Sequence, residues 1–152
     1  YVFSNRTLIE TGASDVVMKR RIEPTYSDYM GLVFEKVCRD YLMRKNPCGE
    51  LPILFTAIGR WWGTDPSKHE QVEIDLIAND SDEYMFCECK WRNEKLDLPV
   101  LKSLMYKADV FRKNRGRTWF VLFSKSGFTD AVIEEAAKNN DILLVDLGKI
   151  TE

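Results

Sequence analysis

The chain has 152 residues, of which 45% are hydrophobic and 30% are charged. This composition is typical of one folded globular domain and excludes a disordered or fibrous chain. No apolar run approaches the roughly 20 residues that cross a bilayer, and residues 1–10 lack the pattern of a signal peptide. We therefore expect a cytoplasmic protein with no membrane partner, whose four cysteines are reduced thiols that fill the core.

The predicted elements begin after an irregular lead-in at residues 1–26, and we expect the domain itself to cover residues 27–152. Ser27 is a suitable N-cap, and apolar residues at helical spacing predict a first helix over 28–45. A strand over 53–58 follows and runs on into residues 59–63. Because the chain begins with Tyr1 and not with methionine, we also expect it to be part of a longer protein.

Two strand patterns, at 72–78 and 84–91, flank the polar residues 80–83 and predict a hairpin. Pro99 suits the first position of a helix that runs to about residue 113. Apolar strands at 119–123 and 142–147 flank a helix that begins after Thr129. A hairpin followed by strand, helix, strand crossovers predicts an α/β fold with a mixed β-sheet flanked by helices.

Basic residues are concentrated between positions 90 and 117, where nine Lys and Arg residues stand against three acidic ones, a net charge of +6. The whole chain has a net charge of −2, which argues against a uniformly basic surface. The basic stretch could face the phosphates of a nucleic acid, or it could be an ordinary solvated helix and turn.

Charged side chains lie on one face of each hairpin strand. Because side chains alternate along a strand, Glu73 and Asp75 point one way from the first strand, and Glu88 and Lys90 share a face of the second. If the hairpin closes over residues 80–83, residues whose numbers sum to 163 are opposed, so Asp75 faces Glu88 and Glu73 faces Lys90. The other face of the first strand is then lined by Val72, Ile74 and Leu76.

Two opposed carboxylates destabilise a sheet unless a cation lies between them. Mg²⁺ or Mn²⁺ would stabilise the pair, because such ions take oxygen ligands and commonly use one or two carboxylates with water and phosphate oxygens. Lys90 would then lie within reach of a metal-bound water. Glu35 borders the apolar face of the first helix and could point into the same site.

The set of Glu35, Glu73-Ile-Asp75 and Glu88-Cys-Lys90 resembles the helix glutamate, aspartate and Glu-x-Lys motif of the PD-(D/E)XK nucleases, whose fold is restriction-endonuclease-like. Most of the chain, including Ile58-Gly-Arg-Trp-Trp-Gly63, also resembles a domain of unknown function that follows the ATPase module of prokaryotic DEXX-box ATPases. The proline of the nuclease motif is absent, since Ile74 precedes Asp75.

The resemblance implies an endonuclease that hydrolyses nucleic acid, with DNA as the expected substrate and Mg²⁺ or Mn²⁺ as cofactor. It implies that Asp75, Glu88 and the backbone carbonyl of Cys89 bind the metal, that Lys90 orients or deprotonates the attacking water, and that Glu35 tunes or shares the metal. An N-terminal ATPase domain of the same polypeptide is the implied partner, and the domain could in addition form a homo-oligomer.

Two other interpretations are a catalytically silent module that binds nucleic acid or the ATPase partner, and a regulatory interaction domain with an exposed apolar patch. In the silent module, Glu88 and Lys90 would form a simple surface ion pair. Four residues are weaker candidates for nucleic-acid contact: Trp61 and Trp62 by stacking, and Lys102 and Lys107 through phosphates. Packing in the core or at a domain interface is the alternative for the tryptophans, and a solvated helix surface is the alternative for the lysines.

Overall fold

The computed structural model describes residues 23–112 and 115–152, so most of the predicted lead-in and the end of the second predicted helix lie outside the described residues. The chain divides into two compact units, Tyr1–Val33 and Phe34–Glu152. Helix α1 (Glu23–Lys45) begins in the first unit. It begins before Ser27, so that residue is not its N-cap. Pro24 falls in the first turn, where backbone N–H groups have no intrahelical acceptor and proline is tolerated.

The second unit contains strands β1 (Ala57–Asp65), β2 (Glu70–Asp80), β3 (Glu83–Lys90), β4 (Thr118–Ser124) and β5 (Ile142–Asp146). Its further helices are α2 (Leu98–Phe111), α3 (Asp130–Lys138) and α4 (Leu147–Ile150). The strands form a sheet in the order β1-β2-β3-β4-β5, antiparallel across β1 to β3 and parallel across β3 to β5. The predicted α/β class with a mixed sheet flanked by helices is confirmed.

Buried residues form two clusters, one on each face of the sheet. On one face Phe34 and Leu42 of α1 pack with Met85 and Cys87 of β3. On the other face residues of α2 and α3 pack with the sheet, among them Leu101, Leu104, Val132, Phe86 and Leu122. Both faces of β3 are therefore covered, which explains why its apolar run is nearly continuous.

The cysteines are free thiols, as predicted, but they do not all fill the core. Cys38, Cys87 and Cys89 are buried, whereas Cys48 is exposed. Cys48 lies in the turn after α1, outside the repeat that directs the helix side chains inward.

Strand β1 begins at Ala57, four residues later than the sequence predicts. Ile53 and Phe55 are buried, but the segment that holds them is irregular. The Asn46 side chain supplies hydrogen-bond partners to the backbone of this segment. It donates to the carbonyl of Phe55 at 2.9 Å and accepts from the Phe55 N–H at 2.9 Å. The buried apolar residues at 53 and 55 thus belong to a loop, and only residues 57 and 58 of the predicted range belong to the strand.

The hairpin of β2 and β3 closes more tightly than predicted, because Asp80 pairs with Glu83 and only Ser81 and Asp82 connect the strands. Ser81 has a positive φ of 54°, a conformation that short hairpin turns require. All five observed pairs, from Asp80–Glu83 to Leu76–Cys87, have residue numbers that sum to 163. The predicted register is therefore confirmed for these pairs.

A β-bulge interrupts β2 where it pairs with β1. Gly59 pairs with Ile77 and Trp61 pairs with Ile74, so two residues of β2 stand opposite one residue of β1. Such a bulge locally breaks the alternation of side chains. Ile74 consequently joins the core beneath α2 and Leu76 the core beneath α1, and the prediction that they share a face is wrong.

The later elements follow the prediction closely. Helix α2 begins at Leu98, one residue before the predicted Pro99, with Asp97 as its N-cap. Helix α3 begins after Thr129, which accepts from the Val132 N–H, as predicted. Strand β4 lies inside the sheet, and the short helix α4 was not predicted. Among the described residues, no helix has both the length and the apolar character needed to cross a membrane.

Candidate functional site

Strands β2 and β3 separate at the point where the predicted acids lie. The observed pairing ends at Leu76–Cys87, one pair before the predicted pair of Asp75 and Glu88. Instead, the Asp75 carboxylate accepts a hydrogen bond of 2.9 Å from the backbone N–H of Cys89. Asp75 therefore lies in the gap between the two strands, and the simple cross-strand opposition of Asp75 and Glu88 is not formed.

The side chain of Asp75 meets Glu35 of α1 within hydrogen-bonding reach. Burial and this second carboxylate together raise the pKa of Asp75 to about 6, while the Cys89 N–H and the charge of Lys90 act in the opposite direction. The structure thus brings together Glu35 and Asp75, as the sequence predicts. A pair of partly buried carboxylates within hydrogen-bonding reach of each other is stabilised by a shared proton or by a cation.

Arg60 of β1 lies beside this pair on the side of the sheet edge. One guanidinium nitrogen, Nη2, is 2.7 Å from Glu73 Oε1 and 3.6 Å from Glu35 Oε1. Glu73 therefore pairs with Arg60, and the predicted opposition of Glu73 and Lys90 has no counterpart in the observed strand pairing, which ends before it. The side chains of Arg60 and Glu73 are 40% and 53% exposed, whereas the Glu35 side chain is largely buried.

Glu88 is nearly inaccessible, with 5% of its side chain exposed, and two lysines contact it. Lys90 Nζ is 2.9 Å from Oε1, and Lys107 Nζ of α2 is 3.5 Å from Oε2. Phe86, two residues before Glu88 on β3, lies in the core beneath α2. Because alternate residues of a strand share a face, Glu88 and Lys90 also lie on the face that α2 covers. The sequence predicted Glu88 and Lys90 together, and α2 adds Lys107.

A small cavity of about 200 Å³ adjoins Glu88. Its polar lining comes from Lys90, Arg92, Ser103 and Lys107. Lys102 is exposed on α2 and does not line this cavity, so the structure separates it from Lys107. The basic residues around the cavity outnumber its one acid, an arrangement that favours anions such as phosphate.

The two adjacent tryptophans of β1 have different surroundings. Trp61 packs edge-on against Phe111 of α2, with ring centroids 5.2 Å apart. A side chain at position 63 would approach the Trp61 ring to 2.5 Å, which explains the glycine there. Trp62 is 63% exposed and pairs across the strands with Glu73. Only Trp62 is therefore free to stack on a base.

The carboxylates of this region suit a divalent cation. Asp75 and Glu35 are oxygen donors in contact, and Mg²⁺ commonly uses only one or two carboxylates and keeps several waters. Within the described residues no group of three or more His, Cys, Asp or Glu side chains is arranged to hold a metal. The residues thus fit an ion whose remaining ligands are water, backbone or substrate oxygens.

Residues 1–103 match the DUF234 family, described as archaeal and bacterial proteins of unknown function. The chain belongs to this family. The matched range includes Glu35, Arg60, Asp75, Glu88 and Lys90, and it ends before Lys107.

An uncharacterised protein, MJECL04 of Methanocaldococcus jannaschii, is 36% identical to this DUF234 chain over 155 residues. The match covers 97% of the chain but only 31% of that relative, so the chain spans about a third of its length. A crystal structure of a protein of unknown function, AF1548, covers 72% of the chain and 57% of its own, at 18% identity and a TM-score of 0.43. That likeness is too remote to bear on function.

Sequence reasoning missed Arg60, Arg92 and Ser103. Arg60 lies in a strand and contacts acids from α1 and β2. These acids are distant from Arg60 in the sequence, so the spacing of residues along the chain does not indicate the contacts. Arg92 follows β3 and belongs to the basic stretch, which was a usable signal. Ser103 stands four residues before Lys107, and this helical spacing could have placed both on one face of α2.

Proposed function

We propose that this domain is a Mg²⁺- or Mn²⁺-dependent nuclease that hydrolyses phosphodiester bonds of nucleic acid, with DNA as the first substrate to test. The observation that carries the proposal is the contact of Asp75 with Glu35 in the gap between β2 and β3, next to Lys90. Two carboxylates in a partly buried gap, flanked by a lysine, suit a metal-dependent hydrolytic site better than a structural ion pair.

Asp75 and Glu35 would hold the ion, with Glu88 and the backbone carbonyl of Cys89 as the further expected ligands. When bound, the ion supplies a water of lowered pKa and neutralises phosphate charge. Lys90 presents an ammonium beside Glu88 and close enough to Asp75 to lower its pKa. This ammonium would orient the water or stabilise the negative charge of the transition state.

A catalytically silent module that binds nucleic acid or a partner is the second candidate. It is favoured by the contacts of Glu88, whose two oxygens are each approached by a lysine. A carboxylate neutralised in this way needs no metal. In this case the cavity lined by Lys90, Arg92 and Lys107 would grip a phosphate without cleaving it.

The resemblance to domains that follow an ATPase module leads us to propose such a module as the partner in the same polypeptide. The isolated domain and the longer natural protein should therefore both be assayed. Binding of nucleic acid by either form would support the wider proposal only if it weakens steeply with salt, through release of counterions.

The decisive comparison is Lys90→Ala against Asp75→Ala. Lys90→Ala keeps the carboxylates, so Mn²⁺ should still bind while cleavage of supercoiled plasmid and of single-stranded DNA and RNA falls by about 10²-fold or more. Asp75→Ala should lose metal and cleavage together. Lys138→Ala, an exposed lysine of α3, is the control and should cleave as the unaltered protein does.

Two results would decide against the nuclease. If the unaltered protein binds Mn²⁺ and nucleic acid but cuts no substrate in either form, the silent module is the correct interpretation. If Lys90→Ala cuts as fast as the unaltered protein, the cleavage comes from another site or from a contaminant.

A further inference from the structure

Arg60 occupies a singular place in the sheet, as the one β1 residue that stands opposite the two-residue bulge of β2. We infer that Arg60 is a positioning residue that holds Glu35 against Asp75 and so prepares the cation site. This inference rests on the proposed metal-dependent function and adds the edge strand β1 to the site.

The contacts form a chain that runs from the surface inward. Glu73 Oε1 lies 2.7 Å from Arg60 Nη2, the same nitrogen lies 3.6 Å from Glu35 Oε1, and Glu35 meets Asp75. The three acids come from two different elements, α1 and β2. Arg60 is the cation that contacts acids from both, and therefore fixes the side chain of Glu35 relative to the strand that carries Asp75.

The strand register explains why Arg60 can reach these acids. Its neighbour Trp61 packs beneath α2, so alternation directs Arg60 to the opposite face, where α1 lies. Arg60 stands opposite Asp75 and Leu76, the two residues of the bulge. Glu73 pairs with Trp62, the next residue on the same face of β1 as Arg60, so Glu73 is a diagonal neighbour of Arg60.

Arg60 has two opposing effects on a cation. Its positive charge repels the ion, but Glu73 balances that charge at 2.7 Å, and the Arg60 side chain is 40% exposed. A screened charge of this kind changes a binding constant by about fivefold at most. Loss of a residue that orients a metal ligand typically costs about tenfold to a hundredfold in affinity. The orienting effect is therefore expected to win, so removal of Arg60 weakens binding.

Arginine suits this role because its planar guanidinium can serve two carboxylates at once, whereas a lysine ammonium is a single point charge on a flexible chain. Arg60→Lys should keep the charge but orient Glu35 less well. The expected order of Mn²⁺ affinity is thus the unaltered protein, then Arg60→Lys, then Arg60→Met.

The test is calorimetric titration of the protein with MnCl₂ in the absence of nucleic acid, so the readout does not depend on cleavage. Arg60→Met should weaken Mn²⁺ binding about tenfold or more, and Arg60→Lys should recover part of that loss. Arg112→Met is the matched control, because Arg112 pairs loosely with Asp82 in the turn at the far end of the hairpin. Its affinity should equal that of the unaltered protein.

Glu73→Gln is a second test, which stays informative if Arg60→Met fails to fold. It keeps Arg60 but removes the balancing charge, so Mn²⁺ affinity should fall with no change of the core. Unchanged or tighter Mn²⁺ binding by Arg60→Met would overturn the positioning role while leaving the proposed metal site intact. Absence of Mn²⁺ binding in the unaltered protein would overturn both the metal site and this inference.

Discussion

At the scale of single residues, the buried carboxylate of Asp65 ties the end of β1 to helix α2. Asp65 accepts hydrogen bonds from the Tyr106 hydroxyl and from the N–H and hydroxyl of Ser67, at 2.9 and 2.7 Å for the two serine donors. These hydrogen bonds lower the pKa of Asp65 to about 2, and the bond from Tyr106 has the largest effect. Tyr106 directly precedes Lys107, so this contact also fixes the part of α2 that reaches Glu88.

Tyr106→Phe should lower the melting temperature at neutral pH and make the melting temperature depend less on pH in the acid range. The folded pKa of about 2 lies below the ordinary value of 3.8, so the ionised Asp65 stabilises the fold above about pH 4. That contribution is lost as the pH falls through about 2. Melting temperatures of the two proteins should therefore converge between about pH 4 and about pH 2. Parallel curves over this range would show that the Tyr106 bond does not set the pKa, and Asp65→Asn should reproduce the flatter profile.

At the scale of elements, strand β1 serves both the core and the candidate site. Trp61 on one face closes the aromatic cluster against Phe111, while Arg60 and Trp62 lie on the other face near Glu73. The strand is an edge of the sheet, so these outward side chains have solvent beside them. A substrate strand passing the carboxylates would meet Trp62 there.

The two tryptophans should therefore respond differently to substitution. Trp61→Ala should destabilise the protein by about 3 kcal/mol, the lower end for a large aromatic, because Trp61 is only partly buried. Trp62→Ala should leave the free energy of unfolding in urea almost unchanged. It should weaken binding of single-stranded oligonucleotides about tenfold, which corresponds to the loss of one base–aromatic stacking contact. Fluorescence anisotropy with Ca²⁺ present would measure this, and Trp62→Phe should restore much of the affinity. An unaltered affinity in Trp62→Ala would exclude stacking at this position.

At the scale of the whole molecule, the contact of Asp75 with Glu35 leaves the metal-free fold less stable than it could be. Mg²⁺ or Mn²⁺ should therefore raise the melting temperature, because a ligand of the folded state stabilises it by about 2.7 kcal/mol at a hundred times its Kd. Asp75→Asn should abolish this shift. It should also melt no lower than the unaltered protein without metal, since an amide keeps an acceptor for the Cys89 N–H and removes the charge beside Glu35. A lower melting temperature for Asp75→Asn would show that the carboxylate itself stabilises the fold.

The sequence by itself determined the features that depend on neighbours along the chain. Thr129 caps its helix, the hairpin register holds from Asp80–Glu83 to Leu76–Cys87, and the element order yields the mixed sheet. Tertiary structure alone decided where alternation fails, because the bulge in β2 arises from its pairing with β1. It also decided the partners of the charged groups. Asp75 meets Glu35 and the Cys89 N–H, and Glu88 meets Lys107, since these contacts depend on how α1 and α2 dock on the sheet. Periodicity along one strand carries no information about a side chain that approaches from another element.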